Sequence, residues 1–368
     1  MRGPSATVHR ETARAEPCCA AGVVPATVDV VTADPLGIQP VEEGARRGLL
    51  RWMRSRPALL LLLTACGNPI PDRCHHPETS GPTAGATDPR YLRTVFLIVL
   101  ENHAWEEIRG NPSAPFLNGT LLPAASHAER YFNPPGLHPS EPNYLWLEGG
   151  TNYGIANDDP PSRNHLPDRD HLVTQLDAAG ISWTSYQEGI TGQDCPLVDE
   201  GKYAPKHNPM IFFDDVTNAN DPLSARCIAH VRPLAELVPA LRDGSVARYL
   251  FITPDLCHDM HDTSGCASPD QVQNGDDWLR IFVPEILGSQ AYQGGGVVFI
   301  TWDESEGGDK PIGMIVLSEF AKGNGYSNTV QYTHGSTLRT VQEIFGVGPF
   351  LCDAERSSDL SDLFAVFP

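Results

Sequence analysis

Two uninterrupted apolar runs, each followed at once by oxygen-bearing side chains, constrain this chain most. Residues 94–100 read Thr-Val-Phe-Leu-Ile-Val-Leu and lead into Glu101-Asn102; residues 297–302 read Val-Val-Phe-Ile-Thr-Trp and lead into Asp303-Glu304. Apolar, β-branched runs without alternation are what strands covered on both faces look like. An open α/β sheet gathers its chemistry outside the carboxyl ends of such strands. Both polar pairs are therefore expected at one edge of a sheet.

The rest of the body extends this pattern. Further strands are expected at 181–186, 247–253 and 312–317. Helices are expected at 114–122, 168–179 before Gly180, 233–241 with Pro233 at its start, 270–287 with Pro284 near its end, and 336–345. A helical turn over 143–148 is closed by Gly149-Gly150. Strands alternating with helices predict an α/β fold, a mostly parallel sheet with helices on both faces. Residues 151–167 are polar and Pro-rich, a loop expected to border the site, and 188–230 are irregular, an expected cap. No internal repeat is present.

The charge balance narrows the partners. Of 26 basic and 46 acidic residues in the chain, 16 and 37 fall in residues 91–368, which carry −21. A body that acidic repels polyanions, so no nucleic acid is expected as a partner, and it suits bound cations.

The first 90 residues read as processing and tether. Residues 1–52 lack periodicity and are set aside as a non-structured or mis-called extension. Residues 53–65 join Met53-Arg54-Ser55-Arg56-Pro57 to Ala58 and five leucines, then Thr64-Ala65: a basic segment, a short apolar one and small residues, as in an export signal. The apolar run falls well short of the roughly 20 residues that span a bilayer. Leu63-Thr64-Ala65-Cys66 is similar to a bacterial lipobox, which implies a lipid anchor on Cys66, membrane attachment and an exported, cell-envelope or secreted protein. Residues 66–90 read as a flexible tether, and 91–368 as the catalytic domain. Apart from Cys18, Cys19 and Cys66, six cysteines remain. An even number in an exported chain points to as many as three disulfides, with 15 possible pairings. Cys257 and Cys266 are close enough to pair.

Glu101, Asn102, Asp303 and Glu304 are the oxygen ligands that hard divalent cations take. In Leu137-His138-Pro139-Ser140-Glu141-Pro142-Asn143-Tyr144, Ser140 precedes a helical turn, where backbone amides favour an anion such as phosphate. A metal bound to the Ser140 oxygen would lower its pKa and make it a nucleophile. Asp255 to Asp262 hold three carboxylates and two histidines, His258 and His261, directly after a strand. Histidine serves both metal binding and proton transfer. His334 precedes the last helix.

Glu101-Asn102-His103, His138-Pro139-Ser140 with Pro142-Asn143-Tyr144, Asp259-Met260-His261-Asp262, Trp302-Asp303-Glu304 and Tyr332-Thr333-His334 together resemble the successive motifs of the bacterial phosphoesterase family, across residues 93–348. That family holds secreted acid phosphatases and phospholipase C-type enzymes within the alkaline phosphatase superfamily. The resemblance implies an alkaline-phosphatase-like three-layer sandwich and a site in which Glu101, Asn102, Ser140, Asp303 and Glu304 surround a divalent metal, Ca, Mg, Mn or Zn. Ser140 would form a phosphoserine. His138, Asp259, His261 and His334 would line the pocket, with His261 as general acid for the leaving oxygen; Asn143 and His258 are further pocket candidates, the role of His258 open. The Ser-x-Pro segment lacks the sulfatase arginine, which argues against sulfatase activity. A chain ending soon after its last helix favours the compact phosphatase-like members.

The resulting expectation is a metal-dependent phosphomonoesterase of acid-phosphatase type, acting on a small phosphorylated substrate or a phospholipid headgroup. A phosphodiesterase or phospholipase C with the same site is the near alternative. A non-catalytic surface lipoprotein is the alternative of another class.

Overall fold

The computed structural model describes residues 91–368. The expectations of an export signal, a lipid anchor on Cys66 and a tether fall outside the described residues. Among the described residues, no helix is long and apolar enough to cross a membrane.

Eight strands form one sheet in the order β4-β3-β5-β1-β6-β7-β2-β8. They are β1 (Thr94–Leu100), β2 (Ser126–Phe132), β3 (Trp183–Gln187), β4 (Val231–Pro233), β5 (Tyr249–Thr253), β6 (Gly296–Trp302), β7 (Met314–Leu317) and β8 (Tyr326–Thr333). All neighbours pair in parallel except at β7, which runs against both β6 and β2. The expected strand over 312–317 is thus present, shortened to β7, as the one antiparallel member.

The continuous apolar runs behave as their composition demands. Every residue of β1, β5, β6 and β7 is buried. Burial without alternation requires cover on both faces, and the helices supply it in two groups. One group joins the helices Ser140–Gly149, Leu172–Ala178 and His334–Phe345; the other joins Leu237–Asp243, Gln271–Leu287 and Gln290–Gln293. Helices, sheet and helices make the three-layer α/β sandwich.

Three strands had no counterpart in the sequence reading: β2, β4 and β8. β2 reads Ser-His-Ala-Glu-Arg-Tyr-Phe and β8 Tyr-Ser-Asn-Thr-Val-Gln-Tyr-Thr, polar sequences in which exposed and buried positions mix. The expected helix at 114–122 is a π-turn, Leu117–Leu121, running into Leu122–Ala124. The expected helix at 168–179 begins only at Leu172, and that at 233–241 becomes a 3₁₀ turn followed by Leu237–Asp243. Pro284 is accommodated inside Gln271–Leu287, near its end. Within 188–230 lie short helical turns at Pro205–His207, Pro209–Phe212, Asp214–Thr217 and Ala225–His230. Disulfides join Cys195 to Cys227 and Cys257 to Cys266.

Candidate active site

The register of β1 on β6 brings the two polar pairs together. Leu100 lies opposite Trp302, so Glu101 and Asp303 leave the sheet side by side. The Asp303 amide donates to Leu100 O at 2.9 Å, and the Glu101 amide donates to Asp259 O at 2.7 Å. The ends of β1 and β6 and the loop after β5 are thus stitched into one floor. Asn102 sits at φ 44, the left-handed region that asparagine tolerates better than most residues.

Ser140 reaches this floor from the loop after β2. It opens the helix Ser140–Gly149, which ends on Gly150 at φ 70, where an added Cβ would strike Leu351 O at 2.5 Å. The Asn143 side-chain amide donates to Leu137 O at 2.9 Å and to Pro139 O at 3.2 Å, fixing the approach to Ser140. Ser140 Oγ donates to Glu101 Oε2 at 2.9 Å, and Tyr144, one turn on, donates its hydroxyl to Glu101 Oε1 at 2.5 Å.

His207 completes the buried cluster and was missed by sequence reasoning. Its Nε2 lies 3.2 Å from Glu101 Oε2 and its Nδ1 3.2 Å from Asp259 Oδ2. It comes from the irregular segment, far along the chain from either partner. The only hint was a histidine framed by Lys206 and Asn208-Pro209. Burial opposes its charge, but Glu101 and Asp259 outweigh burial and push the imidazole up to about 10. For Glu101, burial favours the neutral acid, yet His207 holds the carboxyl below its usual range. Burial, aided by Glu101, pushes Asp259 up to about 6 against the pull of His207. Asp303 rises well above the carboxylate range, through burial first and then through Glu101 and Glu304.

Two overlapping donor sets could hold a metal ion here. Glu101, His207 and Asp259 could each turn an atom to one centre, and His207 Nε2 and Asp259 Oδ2 have no well-formed hydrogen bond among the described residues. The second set includes the Asn102 side chain. One terminal atom of its amide lies 3.0 Å from Glu101 Oε2 and 3.1 Å from Asp303 Oδ1. With nitrogen there it donates to both; with oxygen there, three oxygens crowd as they do around a hard cation. Ser140 Oγ sits on the same Glu101 oxygen. Crowded, buried carboxylates with one histidine among them are a donor set that a divalent ion suits.

The other expected residues are placed around this centre in different ways. Glu304 hydrogen-bonds His138, whose Nε2 lies 3.3 Å from Asp309 Oδ1. Burial pushes Glu304 up to about 7, with His138 pulling the other way. His261 is half-buried beside His207, ring centres 6.1 Å apart, with Nδ1 3.0 Å from Asp262 Oδ1. Its backbone amide donates to Asp259 Oδ1 at 2.8 Å. His334 lies behind the floor, not at its surface: it is fully buried, with Nε2 2.6 Å from Asp303 O and Nδ1 3.1 Å from the Tyr131 hydroxyl. Burial drives it down to about 4, so it is neutral. His258 turns away to a separate trio, with Glu188 at 3.0 Å and Asp255 at 3.3 Å.

Fold and site together define a hydrolase acting on phosphoric esters. The Phosphoesterase family profile matches residues 121–348, and the chain belongs to that family. Glu101 and Asn102 lie just upstream of the matched span. The chain is 30% identical over 256 residues to a phosphatidylinositol-3-phosphatase of Mycobacterium tuberculosis, covering 69% of this chain and 77% of that one. It is 28% identical over 240 residues to a phosphate-repressible acid phosphatase of Penicillium chrysogenum, covering 61% and 54%; the chain thus spans about half the length of that relative. A crystal structure of an alkaline phosphatase superfamily protein from Vibrio parahaemolyticus is similar with a TM-score of 0.49 and 10% identity over 75% of this chain and 74% of that one.

Proposed function

We propose that the chain is a metal-dependent phosphomonoesterase of acid-phosphatase type, with Ser140 as nucleophile. The observation that carries the reading is Ser140 Oγ at 2.9 Å from Glu101 Oε2, with the Asn102 amide 3.0 Å from that same oxygen and 3.1 Å from Asp303 Oδ1. Relatives named for phosphatase activity on a phosphoinositide and as acid phosphatases both act on monoesters, which supports the choice over a diesterase.

Ser140 would attack phosphorus in line and form a phosphoserine, which water then hydrolyses. Glu101 receives the serine hydrogen but, held below its usual pKa by His207, is a weak base. A divalent cation held by Glu101, Asn102, Asp303 and the Ser140 oxygen would supply what is missing, a lowered hydroxyl pKa and compensation for charge on the phosphoryl group. His207 keeps Glu101 and Asp259 together. His261, at the mouth and oriented by Asp262, is the candidate to protonate the leaving oxygen. His138 orients Glu304. His334 sets the Asp303 backbone and Asn143 sets the nucleophile loop.

The test is a substrate panel of p-nitrophenyl phosphate, bis-p-nitrophenyl phosphate and phosphatidylcholine, run after chelation and again with Ca, Mg, Mn or Zn restored. Monoester turnover lost on chelation and regained with one ion is expected. Turnover of only the diester or the lipid would refute the monoesterase, and undiminished turnover after chelation the metal. The signal, lipid anchor and export belong to the same proposal; an acylated Cys66 at the mature N-terminus, read by mass spectrometry, checks them.

A further inference from the structure

The site poses an electrostatic problem for its own substrate. A phosphate monoester arrives with two negative charges and meets Glu101, Asp303, Glu304 and Asp259, all at the same sheet edge. A cation held at the oxygen cluster would offset part of this, and His207 is already committed to two carboxylates. The neighbouring residue is Lys206. Its ammonium is three-quarters buried and lies 3.2 Å from Asp158 Oδ2. Asp158 Oδ1 in turn accepts from the Glu141 amide at 2.9 Å, the backbone N–H immediately after Ser140. Lys206 is therefore one carboxylate away from the nucleophile. Burial works against its charge, but Glu101, Asp158 and Asp303 together raise its pKa.

The Asp158 carboxylate thus occupies an anion position built from the Lys206 ammonium and the Glu141 amide, in the first turn of the helix that Ser140 opens. Those are donors that phosphoryl oxygens use. Resting on the phosphatase reading above, we propose that Lys206 is the specificity-determining side chain that reads the second negative charge of a dianionic phosphate monoester, exchanging Asp158 for a phosphoryl oxygen. A diester, with one charge and an alkylated oxygen, gains less from the same ammonium. Lysine acts here as a point charge on a flexible stem, suited to leaving one partner for another.

The experiment measures orthophosphate binding by calorimetry, and its protection of the fold against heat, in the wild type, Lys206→Met and Lys206→Arg. Lys206→Met is expected to weaken orthophosphate on the order of 10-fold or more, the loss of one charge-assisted hydrogen bond, and to raise KM for p-nitrophenyl phosphate. Lys206→Arg is expected to keep most of the affinity. Wild-type affinity in Lys206→Met, equal loss in both variants, or no orthophosphate binding by the wild type overturns the inference. Should Lys206→Met not fold, Lys206→Gln takes its place. Failure of both to fold makes Lys206 a structural clamp on Asp158 and overturns it as well. A wild type that binds orthophosphate through Lys206 yet turns over no monoester would sink the phosphatase reading alone.

Discussion

Ser140 and His207 share one oxygen, Glu101 Oε2, but their removal should cost different things. Ser140→Ala deletes the proposed attacking group and one hydrogen bond to a carboxylate that keeps Tyr144 and His207. Phosphate release from p-nitrophenyl phosphate is expected to drop about 10³-fold or more, with the melting temperature almost unmoved. His207→Ala leaves Glu101 and Asp259 facing each other, both fully buried, without the cation between them. Breaking a buried charge pair by removing one partner costs about 3–5 kcal/mol, which urea titration would read directly. If His207→Ala is as stable as the wild type, the imidazole is not the charge that holds the floor together. Sequence made one of these residues legible and hid the other. Ser140 stands in a Pro-punctuated segment before a helical turn, a pattern with a chemical meaning. His207 is made important only by strand ends 106 and 52 positions away, and no local pattern records that.

At the scale of elements, the helix that Ser140 opens is anchored at its far end by a second buried histidine. His171 Nδ1 lies 3.1 Å from Glu148 Oε1 and its Nε2 3.0 Å from Asp215 Oδ1, while its ring stacks on Phe213 at 3.8 Å. Burial opposes its charge, but Asp215 and Glu148 prevail and raise its pKa. Burial also raises Glu148, whereas His171 and Arg226 outweigh burial and lower Asp215. The signs then set a window. His171 contributes stability that is complete below its unfolded pKa of about 6.5 and is lost as pH rises through its folded value. Glu148 slopes the same way from about 4.5 upward. Asp215 contributes above about 3.9 and loses that as pH falls. The anchor is strongest in mildly acid solution. His171→Gln should flatten the alkaline side of the stability curve, measured as urea midpoints at pH 6 and pH 9; an unchanged slope would show that the histidine is not the titrating link. Elements divide by legibility along the same physical line. β1, β5 and β6 announce themselves because both faces are covered and every position must be apolar. β2 and β8 lie at the far side of the sheet, where exposed and half-buried positions accept Glu129, Arg130, Asn328 and Gln331, so strand-forming context replaces strand-forming sequence.

At the scale of the whole described body, the sheet delivers five chain segments to one edge, and the irregular region delivers the sixth. Residues 188–230 bring His207 and Lys206 to the floor without a strand of their own, so something other than a ladder must hold them. The Cys195–Cys227 bond closes a loop of 32 residues around both side chains. Closing a loop of that length removes chain entropy from the unfolded state worth about 3–4 kcal/mol. Cys257–Cys266, with a separation of 9, closes a shorter loop beside Asp259 and His261 and is worth about 2.5 kcal/mol on the same reckoning. Replacing Cys195 and Cys227 together by serine should therefore destabilise more than replacing Cys257 and Cys266. It should also weaken orthophosphate binding first, because the released loop carries the positive groups of the site. Calorimetric melting and phosphate titration on the two double variants test this order. Equal losses of stability, or a phosphate site that survives opening of the larger loop intact, would mean that packing of the buried turn Pro209–Phe212 against the helix Ser140–Gly149, and not the covalent bond, keeps Lys206 and His207 in place.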